Sequence, residues 1–461
     1  MKIQQNKNSV QKLMDRSRLY LFLKSCESLG DIYNLTGAYK EAIKNYERML
    51  RFSNDIIIQT RSRRKIAEVY GNQGRLDDAL KILRSGLGIL KGNAYDVIIE
   101  KTEIHILRCR VLMQKGKLEE AMREDGKGLE MIEKTGVDDK RMKSIKAKGF
   151  NNLAAISYVK GEYDRAIELF EKYLKISEEI GDKREIGNAS SNLGIVYQER
   201  GEYDKTIELF NKDLKISEEI GNKPGIGMIS GNLGNVYFEI GEYNKAIELY
   251  ENSLKISEEI GDKQGIGIAS GGLGAAHLEI DKLKEAEKYL RKSKKSLEQI
   301  GDKYYLIYTY CPFSELIIKR GGRLENALEK MAKALKLAEE IDSKDGRAFC
   351  YFTYGKVYAQ EVKNRKSGVE KAKQKNELRR GMEYFKKAIK VYQELKKKKS
   401  LADCYLEYAK MLKEIEELRY LKLKEKAEIY FNKALKIYQE LKLNKKIKEI
   451  EKNKESEVLP P

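Results

Sequence analysis

Between residues 161 and 300 apolar side chains return every three or four positions, and the whole pattern then repeats itself. The segments GEYDRAIELFEKYLKISEEIGDK from Gly161, GEYDKTIELFNKDLKISEEIGNK from Gly201 and GEYNKAIELYENSLKISEEIGDK from Gly241 are spaced 40 residues apart. Within the first copy Tyr163, Ala166, Ile167, Phe170 and Leu174 make one stripe, while Glu168, Glu171 and Lys172 face away, which predicts an amphipathic helix. The segments between the copies, REIGNASSNLGIVYQER, PGIGMISGNLGNVYFEI and QGIGIASGGLGAAHLEI, predict a second helix, with Leu193, Val196 and Tyr197 on its apolar side. Gly181 and Gly201 stand where each helix must stop, and Asp182 is placed to cap the next one. Small residues, Gly194, Gly234 and Gly274 on one helix and Ala166, Ala246 and Ala286 on the other, let the two approach closely; Tyr197, Tyr237, Phe170 and Phe210 fill the space beside them.

Weaker copies extend the series. Upstream lie Gly37-Ala-Tyr-Lys-Glu-Ala42, Gly74-Arg-Leu-Asp-Asp-Ala79 and Gly116-Lys-Leu-Glu-Glu-Ala121; downstream lie Asp281-Lys-Leu-Lys-Glu-Ala286, Gly322-Arg-Leu-Glu-Asn-Ala327, GMEYFKKAIKVYQEL from Gly381 and AEIYFNKALKIYQEL from Ala427. About ten helix pairs result. The organisation read from match quality is degenerate repeats over 1–146, well-formed repeats over 147–300, a further repeat over 301–345, basic degenerate repeats over 346–445, and a tail over 446–461 expected to fray for want of a packing partner. The step from Ala327 to Gly381 is longer than a repeat and contains KNRKSGVEKAKQKNELRR, expected as a lengthened helix pair or an exposed loop. The fold expected is an all-α solenoid, a right-handed superhelix of antiparallel helix pairs.

Length and composition agree with a serial architecture. A chain of 461 residues exceeds what one hydrophobic core normally supports. Charged residues make up 35% and prolines number only 4, which is helix-forming chemistry. The net charge of +19 is uneven: roughly +12 over 1–160, roughly −7 over 161–300 and roughly +12 over 361–461. The best-formed repeats are therefore the acidic ones. MKIQQNKNSV lacks the apolar core of a signal peptide, and no run of roughly 18 apolar residues occurs, so a cytoplasmic protein without membrane attachment is expected. Cys26, Cys109, Cys311, Cys350 and Cys404 are scattered singly and read as buried thiols.

Catalytic chemistry is hard to assemble from these residues. Only His105 and His277 are present, and His277 fills the slot of Tyr197 and Tyr237, which reads as packing. No HExxH, GxSxG, P-loop or kinase signature occurs. The glycine-dense GIGMISGNLGN and GLGILKGN follow no strand, so close helix packing is favoured over a phosphate loop. Glu178 and Glu179 recur in three repeats, as a solvated face does. No enzyme activity, cofactor or metal is expected.

The order Leu193, Gly194, Tyr197, Gly201, Thr206, Phe210 resembles the tetratricopeptide repeat, with Thr206 in place of the usual Ala. The unit is longer than the standard 34 residues and lacks the closing proline. Its SEEIGDK extension is similar to the long repeats of spindle-orientation adaptors of the LGN/Pins type and of kinesin light chains. That resemblance implies asparagines just before the Leu of the first helix that hydrogen-bond the backbone of an extended peptide. The matching positions hold Asn152, Asn192 and Asn232, then Gly272. An amide can pair with any peptide unit because it donates and accepts. Helical counting adds Asn188, Ser191, Gln198, Asn235 and Glu239 to the same wall, in acidic surroundings suited to a basic or neutral partner. The alternative for the asparagines is packing or capping. The function expected is a scaffold or adaptor that holds a peptide or partner protein in the groove, with no small-molecule ligand. A regulatory, peptide-responsive sensor is the alternative, and an RNA-associated protein using basic ends such as KKKKS at 396–400 is a third; Tyr384, Tyr392, Tyr430 and Tyr438 fall on the packing stripe there, not between the lysines.

Overall fold

A computed structural model describes residues 16–364, 371–417 and 423–455. Every regular element among them is a helix. The first and second helices alternate along the chain: α1 (Arg16–Leu35) and α2 (Tyr39–Phe52), α3 (Ile56–Asn72) and α4 (Leu76–Ile89), α5 (Tyr95–Gln114) and α6 (Leu118–Thr135), α7 (Lys140–Val159) and α8 (Tyr163–Ile180). They continue as α9 (Lys183–Arg200) and α10 (Tyr203–Glu219), α11 (Lys223–Glu239) and α12 (Tyr243–Ile260), α13 (Lys263–Glu279) and α14 (Leu283–Ile300), α15 (Lys303–Lys319) and α16 (Leu324–Glu340). The last pairs are α17 (Lys344–Asn364) with α18 (Lys371–Glu394) and α19 (Lys398–Glu417) with α20 (Lys424–Glu440), followed by α21 (Asn444–Glu455). The chain is an all-α solenoid. Two compact units divide it between Ala189 and Ser190, so the contact boundary cuts α9 rather than the changes in repeat quality.

The stop signals act where the 40-residue pattern places them. Gly181 and Gly201 both adopt the left-handed conformation, with φ of 74° and 77°, which costs glycine nothing and any other L-residue strain. The Asp182 carboxylate accepts from the Arg184 and Glu185 amides at 3.1 and 3.2 Å, capping α9 as expected. Close approach explains the helix glycines. A Cβ on Gly194 would lie 2.6 Å from the Phe210 ring, and one on Gly234 2.7 Å from the Tyr250 ring. Ala166, Ala246 and Ala286 are fully buried at the matching contacts. Thr206 is tolerated in the alanine slot because its hydroxyl donates to the Glu202 carbonyl, 3.1 Å, and reaches the Gly194 carbonyl, 3.3 Å.

One expectation is settled between its two alternatives and another is corrected. The long step after Ala327 is a lengthened pair, α17 and α18, of 21 and 24 residues; residues 365–370 of that stretch lie outside the described residues. The end of the chain was expected to fray from about Lys445, but α21 is a helix to Glu455, with Leu443 and Ile450 buried. It packs on the helices before it: Lys410 and Lys413 of α19 donate to Glu449 and to the Asn453 carbonyl, and Lys454 donates to Asn432 of α20. Residues 456–461 lie outside the described residues. All five cysteines are buried thiols, and His277 is buried with its ring stacked on Tyr289 at 5.5 Å.

Candidate functional site

In the C-terminal unit the first helices α11, α13, α15, α17 and α19 each touch the next, so their facing sides make one inner wall. Glu199, Glu239 and Glu279 occupy the same position of successive repeats at its rim. The Gln198 amide donates to Glu239 at 2.8 Å, which brings together two of the residues expected on the wall. Burial pushes the Glu239 carboxyl up, opposed by Lys399 and by the hydrogen bond from Gln198. Further round, Lys356 on α17 lies 2.5 Å from Glu315 on α15 and 3.8 Å from Glu279 on α13. Desolvation works against the Lys356 charge, but Glu315, Glu279 and Glu407 outweigh it and raise its pKa. Lys410 on α19 bridges Glu407 and Glu449, 2.7 Å to each, and with Lys446 it overcomes the burial of Glu449 and holds that carboxyl down at about 2.

The end of the chain occupies this wall. Leu441, at the corner between α20 and α21, packs on Gly201; Lys445 pairs with Glu242 at 3.0 Å; Lys397 reaches Glu199 at 3.8 Å and Asp345 at 3.4 Å. Tyr203, Phe210, Ile229, Leu233 and Val236 of the early repeats share one apolar cluster with Tyr392, Tyr405, Tyr438 and Leu441. In this unit the expected groove therefore carries the chain's own end, because seven successive first helices bring the last one back to the first.

The other expected residues divide sharply. Asn152, in the N-terminal unit, is buried, and its amide donates to Asp125 on α6 at 3.0 Å and to the Ile106 carbonyl at 3.4 Å. Its register position faces the preceding pair: at Gly272 a Cβ would sit 2.7 Å from the Tyr250 ring of the preceding second helix. Asn152 is thus a seam residue, corrected from a groove residue, and Asn192 and Asn232 share its register, each half-buried. Ser191 is buried, donating to Asp213 on its own second helix, and is likewise corrected from the wall. Asn235 is exposed and accepts from the Tyr250 hydroxyl at 2.7 Å. Asn188 is exposed beside the Tyr173 hydroxyl, which donates to Glu185. Sequence reasoning missed Glu279, Glu315 and Lys356; the 40-residue register from Glu239 points to Glu279, but nothing in the repeat marks the later residues.

The basic run near 396–400 faces the chain's own carboxylates. Lys398 pairs with Glu440 at 3.1 Å and Lys399 with Asp403 at 2.5 Å, alongside the Lys397 pairs. The tyrosines lie on the packing side as expected: Tyr392 and Tyr438 are buried, Tyr384 stacks on Tyr354 at 4.3 Å, and Tyr430 leans on Tyr408 at 4.7 Å.

Against known proteins, the tetratricopeptide repeat family matches residues 146–219 and 225–299, and a second tetratricopeptide repeat description matches 23–55. The chain is a tetratricopeptide-repeat protein. No curated protein matches its sequence. Among solved structures, this tetratricopeptide-repeat protein is similar to a signal transduction ATPase with numerous domains from Pyrococcus horikoshii that carries a tetratricopeptide repeat sensor: 19% identity, TM-score 0.56, 75% of this chain and 54% of that one. It therefore spans about half the length of the archaeal protein. It is also similar to the apo quorum sensor NprR from B. thuringiensis, at 14% identity and TM-score 0.56 over 80% of this chain and 98% of that one. Aspartyl phosphate phosphatase F from Bacillus subtilis gives 15%, 0.54, 82% and 95%. At these identities the likeness is one of fold. No helix among the described residues is long and apolar enough to cross a membrane.

Proposed function

We propose that this tetratricopeptide-repeat protein is a scaffold or adaptor that binds a peptide segment or partner protein on the inner wall of its helix pairs, and that it acts by binding and not by catalysis. The observation that carries this reading is the periodic polar wall: Glu199, Glu239 and Glu279 recur once per pair, with Gln198 bonded to Glu239 between two pairs. Side chains repeated at a fixed interval suit an elongated ligand, whose own groups also repeat. Acidic groups held partly out of water favour a basic segment.

The test is affinity capture by the full chain, compared with a variant carrying Gln198→Ala, Glu239→Ala and Glu279→Ala. A partner retained by the wild type and lost by the variant, at equal helicity, supports the reading. Capture indifferent to these three residues counts against it.

A regulatory sensor is the second reading, favoured by the fold likeness to the quorum sensor and to the archaeal protein with its repeat sensor. A short peptide that raises the thermal midpoint without any macromolecular partner would favour it. The RNA reading is weaker, since Lys397, Lys398 and Lys399 pair with carboxylates of this chain. Tight binding in a low-salt gel shift would revive it.

A further inference from the structure

The corners between first and second helices offer an internal comparison, because a left-handed glycine recurs at seven of those described, with Asp281 in its place between α13 and α14. At Gly37, Gly74, Gly116, Gly161 and Gly321 an added Cβ would meet nothing within 4 Å. At Gly201 it would collide with Leu441, and at Gly241 it would touch the Lys445 side chain at 3.8 Å. Tyr203 makes the same point. It is 6% exposed, whereas Tyr163, the same residue in the same register, is only half-buried. Two corners that are open elsewhere are covered here, and the cover is a leucine followed by lysines.

We infer that the corner rim of the repeats from 190 to about 260 is a docking surface for a lysine-bearing helical segment led by a leucine, and that the chain's own α20–α21 corner occupies it, so that a partner of this chemistry gains the surface by displacing the chain's end. The inference rests on the binding role proposed above and names the partner class and its regulation. The seated segment itself specifies the chemistry. Leu441 fills the apolar hollow that a glycine leaves at Gly201. Lys445 of the seated segment meets Glu242, and beside it Lys397, on the neighbouring α18–α19 corner, meets Glu199, so lysines of the last pairs answer acidic groups of the rim. The charged part of the hold is open to solvent, with Lys445 58% and Lys397 32% exposed, and ion pairs of that kind are ones that water and a competitor can replace. A second copy supplying its own end in exchange is the competing occupant.

The probe is a fluorescent synthetic peptide of residues 436–455, KIYQELKLNKKIKEIEKNKE. It is titrated into the full-length wild type and into full-length Lys397→Glu/Lys445→Glu, whose changes lie at partly exposed residues and spare the core. A second opened form, Leu441→Asp, removes the apolar anchor. Opening is read independently as an increased radius of gyration by small-angle scattering. The expected result is a larger radius and at least tenfold tighter probe binding by both opened variants, a gain abolished in the Leu441→Asp form by adding Glu242→Lys. Equal probe affinity for wild type and opened forms overturns the inference, as does an unchanged radius in both variants. Dimerisation of the opened forms in place of probe binding also overturns it, in favour of exchange between copies. If capture of a partner depends on Gln198, Glu239 and Glu279 while the probe shows no gain, this inference fails and the binding role stands.

Discussion

The ring of Tyr250 is 3% exposed and held from both sides. A Cβ added at Gly234 on α11 would approach it to 2.7 Å, and one added at Gly272 on α13 would also approach it to 2.7 Å, from the next pair. The hydroxyl is pinned as well, donating to Asn235 at 2.7 Å. In an exposed helix position, glycine to alanine stabilises by about 0.5–1 kcal/mol. At Gly272 that gain competes with overpacking, which costs about 1–3 kcal/mol when neighbours cannot yield. A ring fixed on two faces and at its tip places the cost near the upper end, so Gly272→Ala should lose about 1–2 kcal/mol. Amides of α11 to α13 should then exchange with solvent roughly 5–30 times faster in native-state hydrogen exchange. Gly126→Ala is the control: Gly126 lies in a helix with nothing within 4 Å, and its substitution should slow exchange in α6. Shrinking the ring should relieve the clash, so Gly272→Ala combined with Tyr250→Leu should cost less than the sum of the two. If Gly272→Ala stabilised its helices as Gly126→Ala does, the close-packing explanation of the helix glycines would be wrong.

Further outcomes follow from the N-terminal unit. The Asp55 carboxylate accepts from the Ile57 and Ile58 amides at 2.7 and 3.1 Å, and Asp55→Ala should cost about 1 kcal/mol, read as a lower urea midpoint for that unit. Burial pushes the Asp125 carboxyl up to about 7, against the opposing hydrogen bonds of Asn152 and Cys109. Unfolded, the same group titrates near ~4, so the native state binds this proton more tightly. The stabilisation is complete below about 4 and is lost as pH rises through about 7. Asp125→Asn should flatten this part of the stability profile between those limits; an unchanged slope would remove Asp125 as its source.

Much of this architecture could be read from the chain because each helix pair is specified locally. Gly181 and Asp182 end one helix and cap the next within two residues, and the Gly194–Phe210 contact lies inside one pair. The path of the last pairs was not legible. Leu441 on Gly201 and Lys445 on Glu242 join residues more than two hundred positions apart, and their meeting depends on small rotations summed over six pairs, none of which a repeat pattern encodes. The same limit explains the asparagines. Asn152 carries the residue type suited to a peptide ladder, yet whether its register looks outward or into the preceding pair is a matter of helix rotation, and Asp125 had already claimed its amide. Gln198 and Glu239 meet because successive first helices repeat at a constant offset.

Closure of the C-terminal unit can be read directly on the native chain by zero-length carbodiimide coupling followed by peptide mass spectrometry. Lys445 with Glu242, 3.0 Å apart, should yield an intramolecular isopeptide link in the monomer fraction, alongside the local pair Lys172 with Glu168. Abundant Lys172–Glu168 product with no Lys445–Glu242 link in that fraction would show that the wall stands open.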